Sequence, residues 1–151
     1  QAVAVPPDEE LKRLSWALTV VEKSGFKFKI SIDSRNPEVL STILNKHKVD
    51  FINDVSGLNN KGMLELVKTS GLSAFVMHSL DVPANPKNTL SDDQDPCAQL
   101  VSWWQRRLVQ FEELGLATEK LIFERLFLHN QRLFFFFFKI WMPICMRLHF
   151  K

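Results

Sequence analysis

The chain has 151 residues and a formal net charge of +2, which allows one domain with its own core and gives no case for a nucleic-acid partner. Its two cysteines, Cys97 and Cys145, belong to no CxxC motif or Cys/His cluster, so neither a disulfide framework nor a zinc site is predicted. The sequence has no signal-peptide pattern and no uncharged apolar run of about 18 residues, so we expect a cytoplasmic chain without membrane contact.

Helix and strand patterns alternate from the start of the chain. The first helix is predicted over Asp8–Lys23, because prolines precede it, acidic residues open it and Gly25 follows it. Apolar and polar residues then alternate over Phe26–Asp33, which predicts a strand. A second helix is predicted to begin after Asn36, which is a favourable cap, with Pro37 in its first turn.

The same alternation continues to residue 124. The further predicted elements are a strand at Asp50–Val55, a helix at Lys61–Ser70, a strand at Leu72–His78, a helix from Asp95 to about Gly115 and a strand at Lys120–Glu124. A long polar loop, Ser79–Gln94, precedes the fourth helix and is typical of functional loops. Alternating elements predict parallel βα units, and the polar strand ends favour an incomplete (β/α)₈ TIM-type barrel of about four units over an open sheet.

The character of the chain changes after Glu124. All 17 acidic residues lie before Arg125, and the tail contains five consecutive phenylalanines, Phe134–Phe138. The tail shows neither a helical nor a strand period, so we expect it to be irregular and prone to aggregation. We therefore divide the chain into a partial barrel over residues 1–124 and an anomalous tail over 125–151, and interpret the tail as the mark of a frame slip or truncation.

Polar side chains end the predicted strands, at the face where a (β/α) barrel carries its active site. Asp33 ends the first strand, Asn53 and Asp54 end the second, and His78 ends the third. A carboxylate accepts hydrogen bonds, and an amide both donates and accepts them. Asp33 beside Asn53 can therefore form hydrogen bonds with a heterocycle that has adjacent donors and acceptors. Structural roles are the alternatives: a cap or turn for Asp33 and Asn53, and loop stabilisation for Asp54.

Residues 8–124 resemble the pterin-binding barrel of the dihydropteroate synthase family. Three strings carry the resemblance: Ser31–Ser34 (SIDS), Ile52–Gly57 (INDVSG), and Val76–His78 (VMH) followed by a loop with proline and asparagine. The second string is the most specific, and the order and spacing of the three strengthen the match.

The resemblance implies an enzyme of folate biosynthesis that joins para-aminobenzoate to 6-hydroxymethyl-dihydropterin diphosphate and releases diphosphate. By position, Asp33 and Asn53 would hydrogen-bond the pyrimidine edge of the pterin, while Val55 and Met77 would pack against its ring. Met77 could equally fill the core, and His78 would either approach the second substrate or diphosphate or serve as a turn residue. Mg²⁺ binding and a homodimer are implied for intact relatives.

Parts of the family pattern are missing from this sequence. Family members have an Asn that helps hold magnesium and diphosphate in a strand and loop that would precede this chain. Where members carry Asp-Pro-Gly, this chain has Glu124-Arg125-Leu126, and Leu133–Lys151 shows neither the ring-contacting Lys nor the basic diphosphate site.

We therefore expect the chain alone to be inactive. Two alternatives remain open, a pterin-dependent corrinoid methyltransferase domain and a non-catalytic pterin-binding remnant. The Asp/Asn pair is compatible with both alternatives as well as with a dihydropteroate synthase. The string Asp54–Gly57 favours the synthase over the methyltransferase.

Overall fold

A computed structural model describes residues 5–80, 87–91, 93–125 and 145–148. In these residues, helices and strands alternate along the chain as far as residue 125. The elements are α1 (Pro7–Lys23), β1 (Lys29–Asp33), α2 (Pro37–Leu44), β2 (Phe51–Asp54), α3 (Lys61–Ser70), β3 (Ser73–His78), α4 (Pro96–Glu113), a short 3₁₀ turn (Thr118–Lys120), β4 (Leu121–Arg125) and β5 (Cys145–Leu148).

The predicted helices form because their ends carry strong local signals. The side chain of Asn36 accepts hydrogen bonds from the backbone N–H groups of Glu38 and Val39, which caps α2 as expected. Asp95 caps α4 in the same way, and Gly71 ends α3 in the left-handed conformation that glycine adopts without strain. The helix predictions are therefore confirmed to within a few residues.

The five strands form one parallel sheet in the order β4-β3-β2-β1-β5. Consecutive strands from β1 to β4 are neighbours, which confirms the predicted series of parallel βα units and fits an incomplete barrel. Strand β5 was not predicted from the sequence, and it pairs with the free edge of β1. The rest of the predicted tail, residues 126–144 and 149–151, lies outside the described residues.

The hydrophobic core lies between the helices and one face of the sheet. Alternate strand residues point into it, among them Ile32, Ile52 and Val76, each with no exposed surface. The other sheet face carries the residues of opposite parity. On β1 the alternation of apolar and polar residues does not match burial, because Ile30, Ser31 and Ile32 are all buried. Strands of parallel sheets are commonly covered on both faces, so polarity alone does not indicate which of their residues are exposed.

Candidate active site

The structure brings Asp33 and Asn53 together at the carboxyl end of the sheet. They are register partners on the adjacent parallel strands β1 and β2, so both side chains lie on the sheet face turned away from the helices. The backbone N–H of Ser34 donates to the carbonyl oxygen of Asn53 at 3.2 Å, which ties the two strand ends together. Asp33 is half-buried, and α2 is capped by Asn36 rather than by Asp33.

Asn53 carries an acceptor that the described residues leave unsatisfied. The residue is 2% exposed, and its side-chain oxygen Oδ1 accepts no hydrogen bond within the described structure. Buried polar atoms in folded proteins are nearly always paired, with protein, water or ligand. The Oδ1 atom of Asn53 therefore fits a ligand that brings a hydrogen-bond donor to this position.

Ser31 is a further candidate site residue, which the sequence analysis did not single out. It lies two positions before Asp33, on the same sheet face and deeper in the sheet, and its hydroxyl oxygen is also buried without a partner in the described residues. The signal that could have identified it is parity, since residues i and i+2 of a strand share a face.

An apolar wall adjoins this polar pair. Met77 is 3% exposed and lies on the same sheet face, at the end of β3. Phe75, the register partner of Asn53, packs against Phe51 with ring centroids 5.5 Å apart. Val55 is half-buried and directly follows β2. A polar edge beside an apolar wall suits a flat heterocycle with donors and acceptors on its rim.

Asp54 stabilises the loop that follows β2, as the sequence analysis expected of it. Its fully buried carboxylate accepts hydrogen bonds from the N–H of Ser56 at 2.8 Å, from the Ser56 hydroxyl at 2.7 Å and from the N–H of Leu58 at 3.1 Å. These bonds close a tight turn over Asp54–Leu58. Asp54 has the opposite parity to Asn53, so it points to the helix side of the sheet.

His78 lies on the helix side of the sheet as well. It is 8% exposed, and its ring meets the edge of Trp103 on α4 with centroids 4.8 Å apart. This ring contact with Trp103 is typical of a residue that packs at the end of a strand. An approach of His78 to a second substrate remains a prediction from the resemblance.

The described residues do not fit a magnesium ion. No group of three or more His, Cys, Asp or Glu side chains lies close enough in them to hold a metal. Asp33 and Asn53 would supply two side chains at most. These two side chains alone do not make a magnesium site.

The described part of the chain contains no helix that is long and apolar enough to cross a bilayer.

A cleft of about 500 Å³ lies at the opposite, amino-terminal end of the strands. It is lined by the ends of α2 and α3 and by the residues before β2, including Leu44, His47 and Val49. This cleft is a poor candidate for the functional site, because this end of a (β/α) barrel serves stability. The buried polar atoms of Asn53 and Ser31, which have no partner among the described residues, belong to strand residues outside its lining.

Comparison with known proteins places this geometry in a family. Residues 1–132 match the family model for pterin binding enzymes. The dihydropteroate synthase of Escherichia coli K12 is 31% identical over 125 residues, which is 82% of this chain and 43% of the relative. A folate synthesis bifunctional protein of Chlamydia caviae is 34% identical over 95 residues, which is 63% of this chain and 21% of the relative.

Solved structures show the same fold. A dihydropteroate synthase of Xanthomonas albilineans, in complex with indole-2-carboxylic acid and 6-chloroguanine, superposes with a TM-score of 0.67 at 24% identity, covering 81% of this chain and 41% of that one. A 7,8-dihydropteroate synthase of Vibrio fischeri superposes with a TM-score of 0.64 at 26% identity, covering 81% and 44%. The chain thus spans less than half the length of these relatives. The proposed boundary between the partial barrel and the tail, at residue 124, remains a prediction.

Proposed function

The chain belongs to the family of pterin binding enzymes, and we propose that its site at the carboxyl end of β1–β3 binds a pterin ring as part of a dihydropteroate synthase. Asp33 and Asn53 hydrogen-bond the pyrimidine edge in this proposal. Val55 and Met77 contact the face of the ring.

The observation that carries the proposal is the buried Oδ1 of Asn53, which accepts no hydrogen bond from any residue that the structure describes. A pterin presents ring N–H and exocyclic amine donors side by side along its pyrimidine edge. One of these donors satisfies Oδ1, and the Asp33 carboxylate, in register on the next strand, accepts from another. The match gives a reason for an otherwise costly buried acceptor, since a buried polar atom without a partner destabilises the fold.

The proposed reaction is a displacement at the methylene carbon attached to the pterin. The amine of para-aminobenzoate forms a C–N bond to this carbon, the C–O bond to diphosphate breaks, and the amine loses a proton. The residues of this chain contribute by fixing the ring, and hence the carbon, in one orientation. Three further properties remain predictions: homodimer formation, a cytoplasmic location and a Mg²⁺ requirement. None of the described residues is proposed as a ligand of Mg²⁺.

Calorimetric titration of the chain with 6-hydroxymethylpterin tests the binding proposal. Asn53→Ala and Asp33→Ala should each weaken binding by about 1–3 kcal/mol, because a polar group of the ring loses its partner. Asn45→Ala is a matched control, since Asn45 is an exposed amide at the end of α2 and far from the site. Equal affinity for Asp33→Ala and the unsubstituted chain would remove Asp33 from the site.

Turnover assays separate the three functional classes. With diphosphorylated pterin and labelled para-aminobenzoate we expect pterin binding without product, since the chain spans 43% of the Escherichia coli relative. Methyl transfer from methyltetrahydrofolate to a corrinoid partner would support the methyltransferase instead. Dihydropteroate formation at an ordinary rate, roughly 1 per second or faster, would contradict the expectation of inactivity.

A further inference from the structure

Arg107 connects α4 to the loop that follows β2, and it lies 50 residues along the chain from Gly57 of that loop. Its Nη2 donates to the carbonyl oxygen of Gly57 at 2.7 Å and to that of Leu58 at 3.1 Å. Its Nη1 donates to the side chain of Gln110 at 2.8 Å, and its guanidinium carbon lies 4.4 Å from the centroid of the Phe111 ring. A guanidinium suits this position because it combines several in-plane donors with a flat face that stacks on an aromatic ring.

The loop needs external support because its backbone is strained. Gly57 has φ +71° and Leu58 has φ +58°, and Leu58 is the single non-glycine residue with positive φ in the described part of the chain. A side chain in this left-handed region is unfavourable, so the surrounding structure has to hold it there. The Asp54 carboxylate takes the N–H of Leu58, while Arg107 takes the carbonyl groups of Gly57 and Leu58.

Electrostatics favours the same arrangement. Burial lowers the pKa of Arg107, and the negative charge of Asp54 opposes that lowering. The two charged groups bind the loop through different backbone groups, Asp54 through the N–H of Leu58 and Arg107 through the carbonyl groups of Gly57 and Leu58. The loop begins at the residue after Asn53 and includes Val55, so both proposed pterin contacts adjoin or belong to the segment that Arg107 holds.

We propose that Arg107 is a positioning residue for pterin binding, which holds the Asp54–Leu58 loop and thereby keeps Asn53 and Val55 in their binding geometry. This inference rests on the proposed function. Arg107 reaches the loop from the helix side of the sheet, so it acts on the ligand through the loop rather than by contact.

The test compares Arg107→Met with Arg106→Met by calorimetric titration with 6-hydroxymethylpterin. Arg106 is the adjacent, exposed residue of α4, so its substitution removes the same charge from the same helix without touching the loop. Arg107→Met should weaken binding at least about tenfold, equivalent to roughly 1.4 kcal/mol, while Arg106→Met should leave it unchanged. Arg107→Lys, which keeps the charge but not the fork of donors, should fall between them.

A double-substitution cycle distinguishes positioning from general stability. If Arg107 acts through Asn53, its substitution should cost less pterin affinity in an Asn53→Ala background than in the unsubstituted chain. Hydrogen exchange at the Leu58 amide should also accelerate in Arg107→Lys, with protection in α1 unchanged. The lysine variant serves both measurements if Arg107→Met does not fold.

The possible failures are distinguishable. No pterin binding by the unsubstituted chain would overturn the proposed function and this inference with it. Binding by the unsubstituted chain with equal affinity in the Arg106 and Arg107 variants would overturn the positioning role alone. Additive losses in the Asn53→Ala background would also overturn it, because they would show that Arg107 acts independently of the site.

Discussion

Gly57→Ala is expected to destabilise the fold through two separable effects. Gly57 has φ +71°, and an added Cβ would lie 2.9 Å from the carbonyl oxygen of Met77 and 3.3 Å from the ring of Trp103. Alanine in the left-handed region costs about 1–2 kcal/mol relative to glycine. A clash with a backbone oxygen, which cannot rotate away, adds about 1–3 kcal/mol, the usual cost of overpacking. The free energy of unfolding should therefore fall by roughly 2–5 kcal/mol.

Gly25→Ala is the matched control for this experiment. Gly25 has nearly the same backbone angle, φ +73°, but nothing lies within 4 Å of a Cβ placed there. The conformational cost is shared by the two variants, so the difference between them isolates the contact with Met77 and Trp103. Urea unfolding followed by circular dichroism measures both. Equal destabilisation by the two substitutions would refute the close packing of the loop against β3 and α4.

Two further predictions concern buried and partly buried carboxylates. Burial alone would raise the pKa of Asp50, but hydrogen bonds from Lys29 and from a backbone N–H of β1, together with the charge of Lys29, bring it below its ordinary value. This contribution to stability is present above the unfolded pKa, about 3.9, and is lost as pH falls through the folded value. Urea midpoints of Asp50→Asn and the unsubstituted chain should therefore differ at pH 7 and begin to converge as the pH falls below about 4, and a constant difference would contradict the assignment. Asp54→Ala should lower the free energy of unfolding by about 2–4 kcal/mol, because buried N–H donors lose their acceptor. Asp93 is exposed, so Asp93→Ala should change the free energy of unfolding by less than about 0.5 kcal/mol. Similar losses in both variants would refute the role of Asp54.

The sequence predicted the elements and the main polar pair because both depend on local patterns. Caps such as Asn36 and Asp95 act over a few residues, and helical spacing identifies buried faces such as that of Leu14 and Leu18. The pairing of Asp33 with Asn53 followed from one additional rule, that successive parallel strands lie side by side with their carboxyl ends together.

The sequence analysis failed where burial and contact depend on distant residues. Ser31 is one of the polar residues in the alternating pattern of the first strand, yet only 3% of it is exposed. The stack of Phe51 on Phe75 joins two strands, and no local pattern indicates it.

By itself, the sequence determined the order of helices and strands, their caps, the partial-barrel class and the family to which the chain belongs. Those properties depend on hydrogen bonds and side-chain periodicity within short segments, and on strings such as Ile52–Gly57 that can be recognised directly. Only the tertiary structure decided that the Oδ1 atom of Asn53 is buried without a partner in the described residues, and that Arg107 binds the carbonyl groups of Gly57 and Leu58. The physical reason is that burial and hydrogen-bond satisfaction are set by atoms that are close in space but about 50 residues apart in the chain, a relation that no local pattern encodes.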